Sequence, residues 1–219
     1  MTGILPLIKG LIFAAVGFAI GSLAALGLST VTPQALKEPL ITLGYLLAVI
    51  GWLMGVGMWR TWGSEWFGLK PIVHDNSGRW KRYFRFTTDH KVIGIQYLVT
   101  MLVIFLLAGA FGVLLRAELA DGPQNIMGAN DYNTVMSLHG IMMIAVAVAT
   151  LIGGFANYVL PIMIGAKDVA FPRINALSYW ILPPVAILLL ATPLFGGFDT
   201  GWTAYPPLAS QTATGALLF

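Results

Sequence analysis

The feature that most limits how this chain can fold is a series of long apolar runs. Five of them are long enough to cross a bilayer: residues 5–28, 39–59, 92–115, 133–164 and 172–194. A helix needs ~20 mostly apolar residues to span a hydrocarbon core of ~30 Å. Backbone groups in lipid must pair within the segment, and the alternating pattern of barrel strands is absent. We therefore predict an all-α integral membrane protein with five transmembrane helices.

The composition agrees with this class. Only 10% of the 219 residues are charged, whereas 58% are hydrophobic. A soluble domain has about 25% charged residues, which it needs to cover its surface. The chain contains no cysteine, so disulfides, thiolate metal sites and cysteine nucleophiles are excluded.

The charged loops predict an orientation and three regions. Residues 60–91 contain seven basic and three acidic side chains. By the positive-inside rule this stretch is cytoplasmic, and the N-terminus two spans earlier is cytoplasmic too. Beside two spans, a basic and aromatic loop favours a lipid or partner-subunit surface over nucleic acid. The regions are two N-terminal helices (1–60), the basic loop (61–91) and the remaining helices (92–219).

Glycines in the first two predicted spans stand four residues apart. Gly17 and Gly21 form one such pair, and Gly51 and Gly55 form the other. This small-xxx-small spacing permits close packing of helices.

One histidine lies within a predicted span. His139 is about seven residues inside the outer boundary of the fourth span, or ~10 Å deep. A polar residue at that depth faces the protein interior and is a candidate for function. Neutral imidazole is a frequent axial ligand of haem iron, and an interhelical hydrogen bond is an equally good interpretation. Arg116, at the outer end of the third span, either snorkels to the interface or reaches a polar group of a cofactor.

A second group of polar residues lies at the predicted inner side. Asn157 follows His139 by 18 residues, which is ~27 Å along a helix. The turn that carries Asp168 returns the chain so that Asn175 lies at the level of Asn157. A carboxylate with amides behind it could order a water chain for protons. The spacing itself favours a simpler interpretation, in which Asp168 caps the helix that begins at Pro172.

Several stretches of the chain strongly resemble subunit I of haem-copper respiratory oxidases. The similarity is strongest to the branch with the D-type proton pathway, which contains most cytochrome c oxidases. It covers residues 86–219, and two helices are added before it. The resemblance implies that the helices form part of a larger helical bundle. The matching stretches are TTDHKVIGIQYL, LLRAEL, YNTVMSLHGIMM, GGFANYVLPIMIGAKDVAFPRINALSYWILPP and TGWTAYPPLA.

The resemblance implies roles for individual residues. His139 occupies the position of an axial ligand to the low-spin haem, which is expected to be a-type. Arg116 occupies the position that hydrogen-bonds a peripheral haem group. Asp168 matches the entrance acid of the D pathway, although Lys167 stands where the family usually has proline. The other residues of that pathway are Asn157, Asn175 and Tyr97.

The complete enzyme of this family reduces O2 to water and pumps protons. Its high-spin haem and copper need further histidines, and this chain has only His74 and His90 besides His139. We therefore expect no copper ligand in this chain. The missing ligands would come from the remainder of subunit I or from a complementary chain.

The resemblance also implies partners and a location. The expected partners are oxidase subunits II and III, with cytochrome c as the electron donor, and nucleic acid is not expected. The expected location is the plasma membrane of a prokaryote. A quinol oxidase subunit I is an alternative within the superfamily. A non-catalytic membrane assembly subunit is the alternative from another class.

Overall fold

The computed structural model describes residues 4–29, 37–63, 66–69, 80–120, 122, 126–195, 197 and 199–207. Within these ranges every regular element is a helix, which confirms the predicted all-α class. Residues 70–79, which include much of the predicted basic loop, lie outside the described residues. The long helices of the described residues are α1 (Leu5–Ser29), α2 (Lys37–Val56), α3 (His90–Glu118), α4 (Ala129–Met163) and α5 (Pro172–Ala191).

The predicted count of five spans is not met. Four apolar helical stretches of the described chain have the length and composition needed to cross a membrane, and they include α1, α3, α4 and α5. Helix α2 runs over 20 residues, Lys37–Val56, and within the described side chains its apolar stretch is Thr42–Val56. The prediction extended this span to residue 59, but Gly57 has a φ of 108°, a conformation that favours glycine and ends the helix.

Helix α4 is long and irregular. A π-helical stretch, Met142–Val148, separates its two α-helical segments, Ala129–Ile141 and Ala149–Met163. The Thr150 hydroxyl donates to the carbonyls of Val146 and Ala147, at 2.7 and 3.0 Å. This side chain therefore supplies carbonyls near the end of the π-helical stretch with an additional donor.

The first of two compact units contains residues 1–92 and 170–181. Within it, α1 and α2 run in opposite directions and their backbones touch at glycines. A Cβ atom at Gly21 would lie 2.7 Å from Gly44 Cα, and one at Gly55 would lie 2.5 Å from Gly10 Cα. The close packing that this glycine spacing permits is present between α1 and α2.

The same unit contains a hydrogen bond between α2 and the first half of α5. Trp52 and Trp180 are 2% and 1% exposed, and the Trp52 indole N–H donates to the Trp180 carbonyl at 2.8 Å. The residue four positions after Trp180 is Pro184, which has no N–H to donate. Because a buried carbonyl needs a donor, the indole of α2 replaces the missing intrahelical bond.

The second compact unit contains residues 93–169 and 182–219. Its buried apolar core joins α3, α4 and the second half of α5. Ile104 and Ala108 come from α3, Leu138 and Met142 from α4, and Leu189 from α5. This core positions the face of α3 against the part of α4 that carries His139.

We predict that Gly51→Leu destabilises the packing of α1 on α2. A Cβ atom at Gly51 would collide with the carbonyl oxygen of Phe13, whereas one at Gly27 would meet no atom within 4 Å. Overpacking of this kind costs about 1–3 kcal/mol. Thermal unfolding in detergent, followed by circular dichroism, should show a lower Tm for Gly51→Leu than for the control Gly27→Leu. Equal Tm values would contradict the packing.

We also predict that Trp52→Phe loosens the first half of α5. The substitution keeps an aromatic ring but removes the donor to the Trp180 carbonyl, and an unsatisfied buried acceptor costs about 1–3 kcal/mol. Hydrogen exchange of residues 172–181 should become faster. The control is Trp80→Phe, because Trp80 is 80% exposed. The interpretation fails if both variants exchange like the wild type.

Candidate functional site

His139 is held by a backbone carbonyl of α3. Its Nδ1 atom lies 2.7 Å from the Ala108 carbonyl oxygen, and its ring is half-buried. A carbonyl can only accept, so Nδ1 carries the proton and the neutral ring has a lone pair on Nε2. This is the tautomer that presents Nε2 to a metal ion, with the Nδ1 bond fixing the ring.

Gly112 lets α3 approach the imidazole. A Cβ atom at Gly112 would lie 2.9 Å from His139 Cε1 and 3.3 Å from its Nδ1. Ala108 and Gly112 are four residues apart, so they share one face of α3. Neither residue was predicted from the sequence, although a glycine inside an apolar helix is a signal of close approach.

Arg116 stands four residues after Gly112, in the last turn of α3. The helical period therefore places it on the face that meets His139. Its side chain is exposed. This position agrees with both interpretations from the sequence, because an exposed guanidinium can reach the interface or a ligand next to the helix.

Two further contacts fix the first part of α4. The Ser137 hydroxyl accepts the Gly201 N–H at 2.9 Å and donates to the Asn133 carbonyl at 2.8 Å. A Cβ atom at Gly140 would lie 3.2 Å from Trp202 Cβ. The loop after α5 therefore packs on residues that flank His139. The sequence offered no local signal for this contact.

Glu118, at the end of α3, is buried and organises the loop that follows. Its Oε2 atom accepts the backbone N–H groups of Ile126 and Met127 at 2.9 and 3.1 Å. These bonds tie the end of α3 to the chain just before α4, and so support the register of the two helices.

Tyr97 and Asn157 are brought together around Gly153. Each is 7% exposed. Asn157 Nδ2 donates to the Gly153 carbonyl at 2.7 Å, and the Tyr97 ring would lie 3.1 Å from a Cβ atom at Gly153. The structure therefore brings together two residues that only the family resemblance had connected.

Asp168 lies in the loop after α4 and is exposed, as is Lys167. Its Oδ1 atom accepts the Val169 N–H at 2.8 Å. This bond fixes one carboxylate oxygen within the loop.

Asn175 lies in the first turn of α5, within the first compact unit. The Asn175 backbone N–H donates to the Phe171 carbonyl at 3.0 Å, and the Ser178 hydroxyl donates to the Asn175 carbonyl at 2.7 Å. Its Nδ2 atom is buried and has no hydrogen-bond partner among the described residues. A buried amide of this kind is a place where a water molecule would bind.

The described residues contain no group of three or more His, Asp or Glu side chains that could hold a metal ion. His139 could therefore provide one ligand to an iron whose other ligand comes from elsewhere. A planar cofactor with an axial histidine suits this arrangement, because the ring is oriented and its Nε2 lone pair is available.

Comparison with protein families places these residues in context. A family described as "Cytochrome C and Quinol oxidase polypeptide I" matches residues 92–219. The chain belongs to this family. The match confirms the resemblance seen in the sequence, and this oxidase family implies haem and copper as cofactors. Together with its apolar helices, membership identifies the chain as a multi-pass membrane protein.

Individual relatives carry related names. The chain is 51% identical over 144 residues to cytochrome c oxidase subunit 1 of Thermostichus vulcanus, covering 65% of this chain and 26% of the relative. It is 45% identical over 131 residues to the Synechocystis protein of the same name, covering 60% and 24%. A haem-copper oxidase subunit I+III of Aeropyrum pernix is 41% identical over 130 residues, covering 58% and 16%. The chain thus spans about a quarter or less of the length of these relatives.

Proposed function

We propose that this chain is part of subunit I of a terminal respiratory oxidase, which couples electron transfer from cytochrome c to O2 reduction and proton pumping. In this proposal the chain supplies one axial ligand of the low-spin haem and the entrance of the D proton pathway. The observation that carries it is the bond between His139 Nδ1 and the Ala108 carbonyl, which leaves Nε2 as the donor atom.

His139 is the proposed axial ligand. A bound haem would supply reversible one-electron transfer. The chain's own contribution is to hold the imidazole in one tautomer and one orientation. Gly112 supports this role because a larger residue would press on the ring. Arg116 is the proposed donor to a peripheral group of an a-type haem, since a guanidinium presents several N–H groups in a fixed plane.

Asp168 is the proposed entrance acid of the proton pathway. Oδ1 already accepts the Val169 N–H, so Oδ2 is the atom that would take up a proton from the inner aqueous side. Asn157 and Tyr97 would bind waters further along, and their burial around Gly153 supports that assignment. Asn175 is included on the family resemblance, with its buried Nδ2 as the group that would donate to water.

The remaining parts of the oxidase are assigned to other chain segments. The second axial ligand, the high-spin haem and the copper would be held by the remainder of subunit I or by a complementary chain. Subunits II and III would complete the complex. The proposed setting is the plasma membrane of a prokaryote, with a cytoplasmic N-terminus, because basic residues concentrate between positions 60 and 91.

Quinol is the second candidate donor, because the matching family includes quinol oxidases by its description. The assembled complex should be assayed with reduced cytochrome c and with a quinol. Turnover with cytochrome c alone supports the proposal. Turnover with quinol alone would make quinol, instead of cytochrome c, the proposed electron donor.

We predict that His139→Ala abolishes the low-spin haem absorption of the assembled complex, because it removes an axial nitrogen ligand. The control is Met136→Ala on the same helix, where the side chain is 41% exposed. Met136→Ala should keep the wild-type spectrum. An unaltered haem spectrum in His139→Ala, in a complex of normal composition, would instead favour a non-catalytic membrane assembly subunit.

We also predict that Asp168→Asn lowers turnover by about tenfold or more, the order of effect of losing a proton-transfer group. The amide keeps the size of the side chain but cannot take up a proton. Oxygen consumption and proton uptake should be measured in reconstituted vesicles. Asp131→Asn removes the same charge at the start of α4 and should keep normal turnover. Equal rates in all three proteins would exclude Asp168 from the pathway.

A further inference from the structure

A cationic cavity lies where α1 begins and α2 ends, within the first compact unit. Its volume is about 440 Å³. Three basic side chains line it, Lys9, Arg60 and Arg85, and its described lining includes no carboxylate. The chemistry of this lining selects a negatively charged ligand.

The backbone explains how residues distant in sequence come to line this cavity. Gly57 ends α2 through its positive φ, and the Arg60 N–H turns back to the Gly57 carbonyl at 3.1 Å. The Val56 carbonyl then accepts the Phe86 N–H at 3.3 Å. This bond brings Arg85 to the end of α2, beside Arg60.

The partial charges of the two helix ends do not change the positive sign of the cavity's net charge. The N-terminal end of α1 carries about half a positive charge and the C-terminal end of α2 about half a negative charge. These contributions oppose each other, so the three full charges of the side chains decide. Arginine and lysine together bind a phosphate group through several N–H donors.

The rest of the lining is apolar and borders the lipid-facing surface. Phe13 and Met54 line the cavity, as does Trp59, an aromatic residue typical of a membrane interface. The adjacent surface of α1 is apolar and exposed, with Ile8 and Leu11 at 48% and 49%. A ligand that fits both parts has an anionic head and an apolar tail. The volume falls in the range that encloses a small organic group.

We propose that this cavity binds the headgroup of an anionic phospholipid. The phosphate would lie among Lys9, Arg60 and Arg85, and the acyl chains would follow Phe13 and Met54 into the bilayer. The site lies in the part of the chain that precedes the oxidase-family match. It does not depend on the proposed haem and proton roles.

The test is a binding titration with phosphatidylglycerol. The delipidated complex containing the full chain is incubated with this lipid, and native mass spectrometry gives the occupancy. A variant with Lys9→Gln, Arg60→Gln and Arg85→Gln should bind on the order of 100-fold more weakly, from about fivefold for each cation near a membrane surface. A variant with Arg60→Lys and Arg85→Lys keeps the charge and should bind within a few-fold of wild type.

A second triple variant distinguishes binding in this cavity from a general attraction of anionic lipid to basic residues. Lys81→Gln, Arg82→Gln and Lys91→Gln remove the same net charge from residues that do not line the cavity, and should leave the titration unchanged. Equal weakening of both triple variants would overturn the proposal. So would equal affinity for zwitterionic phosphatidylcholine, or displacement of the lipid by millimolar inorganic phosphate, which would indicate a small-anion site. Far-UV circular dichroism checks that each variant is folded. If the triple variant does not fold, the test uses the single variants Arg60→Gln and Arg85→Gln. Each of these should weaken binding about fivefold.

Discussion

The structure depends on a single requirement, that every backbone carbonyl in a membrane helix needs a donor. Proline removes such donors, and α5 contains two adjacent prolines, Pro183 and Pro184. The chain meets the requirement at the Trp180 carbonyl with the indole of Trp52. A hydrogen bond from α2 thus replaces one that α5 cannot form within itself. This gives α2, which precedes the oxidase-family match, an attachment point on a segment of that match.

A side chain also donates to a backbone carbonyl of another helix at His139, the proposed haem ligand. The Ala108 carbonyl accepts from the imidazole, and Gly112 makes room for the ring one turn later. The acceptor at Ala108 therefore favours the tautomer of His139 that has its proton on Nδ1. Towards the other end of α4, Asn157 donates to the carbonyl of Gly153, the glycine against which the Tyr97 ring lies. One helix thus carries two polar positions, each oriented by contacts around a glycine.

The sequence alone predicted the class and most helix positions, because hydropathy over a window of ~20 residues reports the bilayer directly. It also singled out His139, since an imidazole at membrane depth is costly without a partner. It could not identify Ala108 as that partner, because helix rotation and register are set by tertiary packing. It overextended the second span to residue 59, because apolar Met58 and Trp59 concealed the effect of Gly57. The pairing of Trp52 with Trp180 joins residues 128 positions apart and has no local signal.

The most direct test of this account is pulsed electron paramagnetic resonance of the low-spin haem in the assembled complex, with histidine labelled by ¹⁵N at Nδ1 or at Nε2. If the signal of a labelled histidine nitrogen is lost when His139 is replaced, that signal belongs to His139. The account predicts iron coordination through Nε2 of His139, with a proton on Nδ1 that exchanges slowly because the Ala108 carbonyl holds it. Coordination through Nδ1, or a low-spin signal that does not change when His139 is replaced, would contradict it.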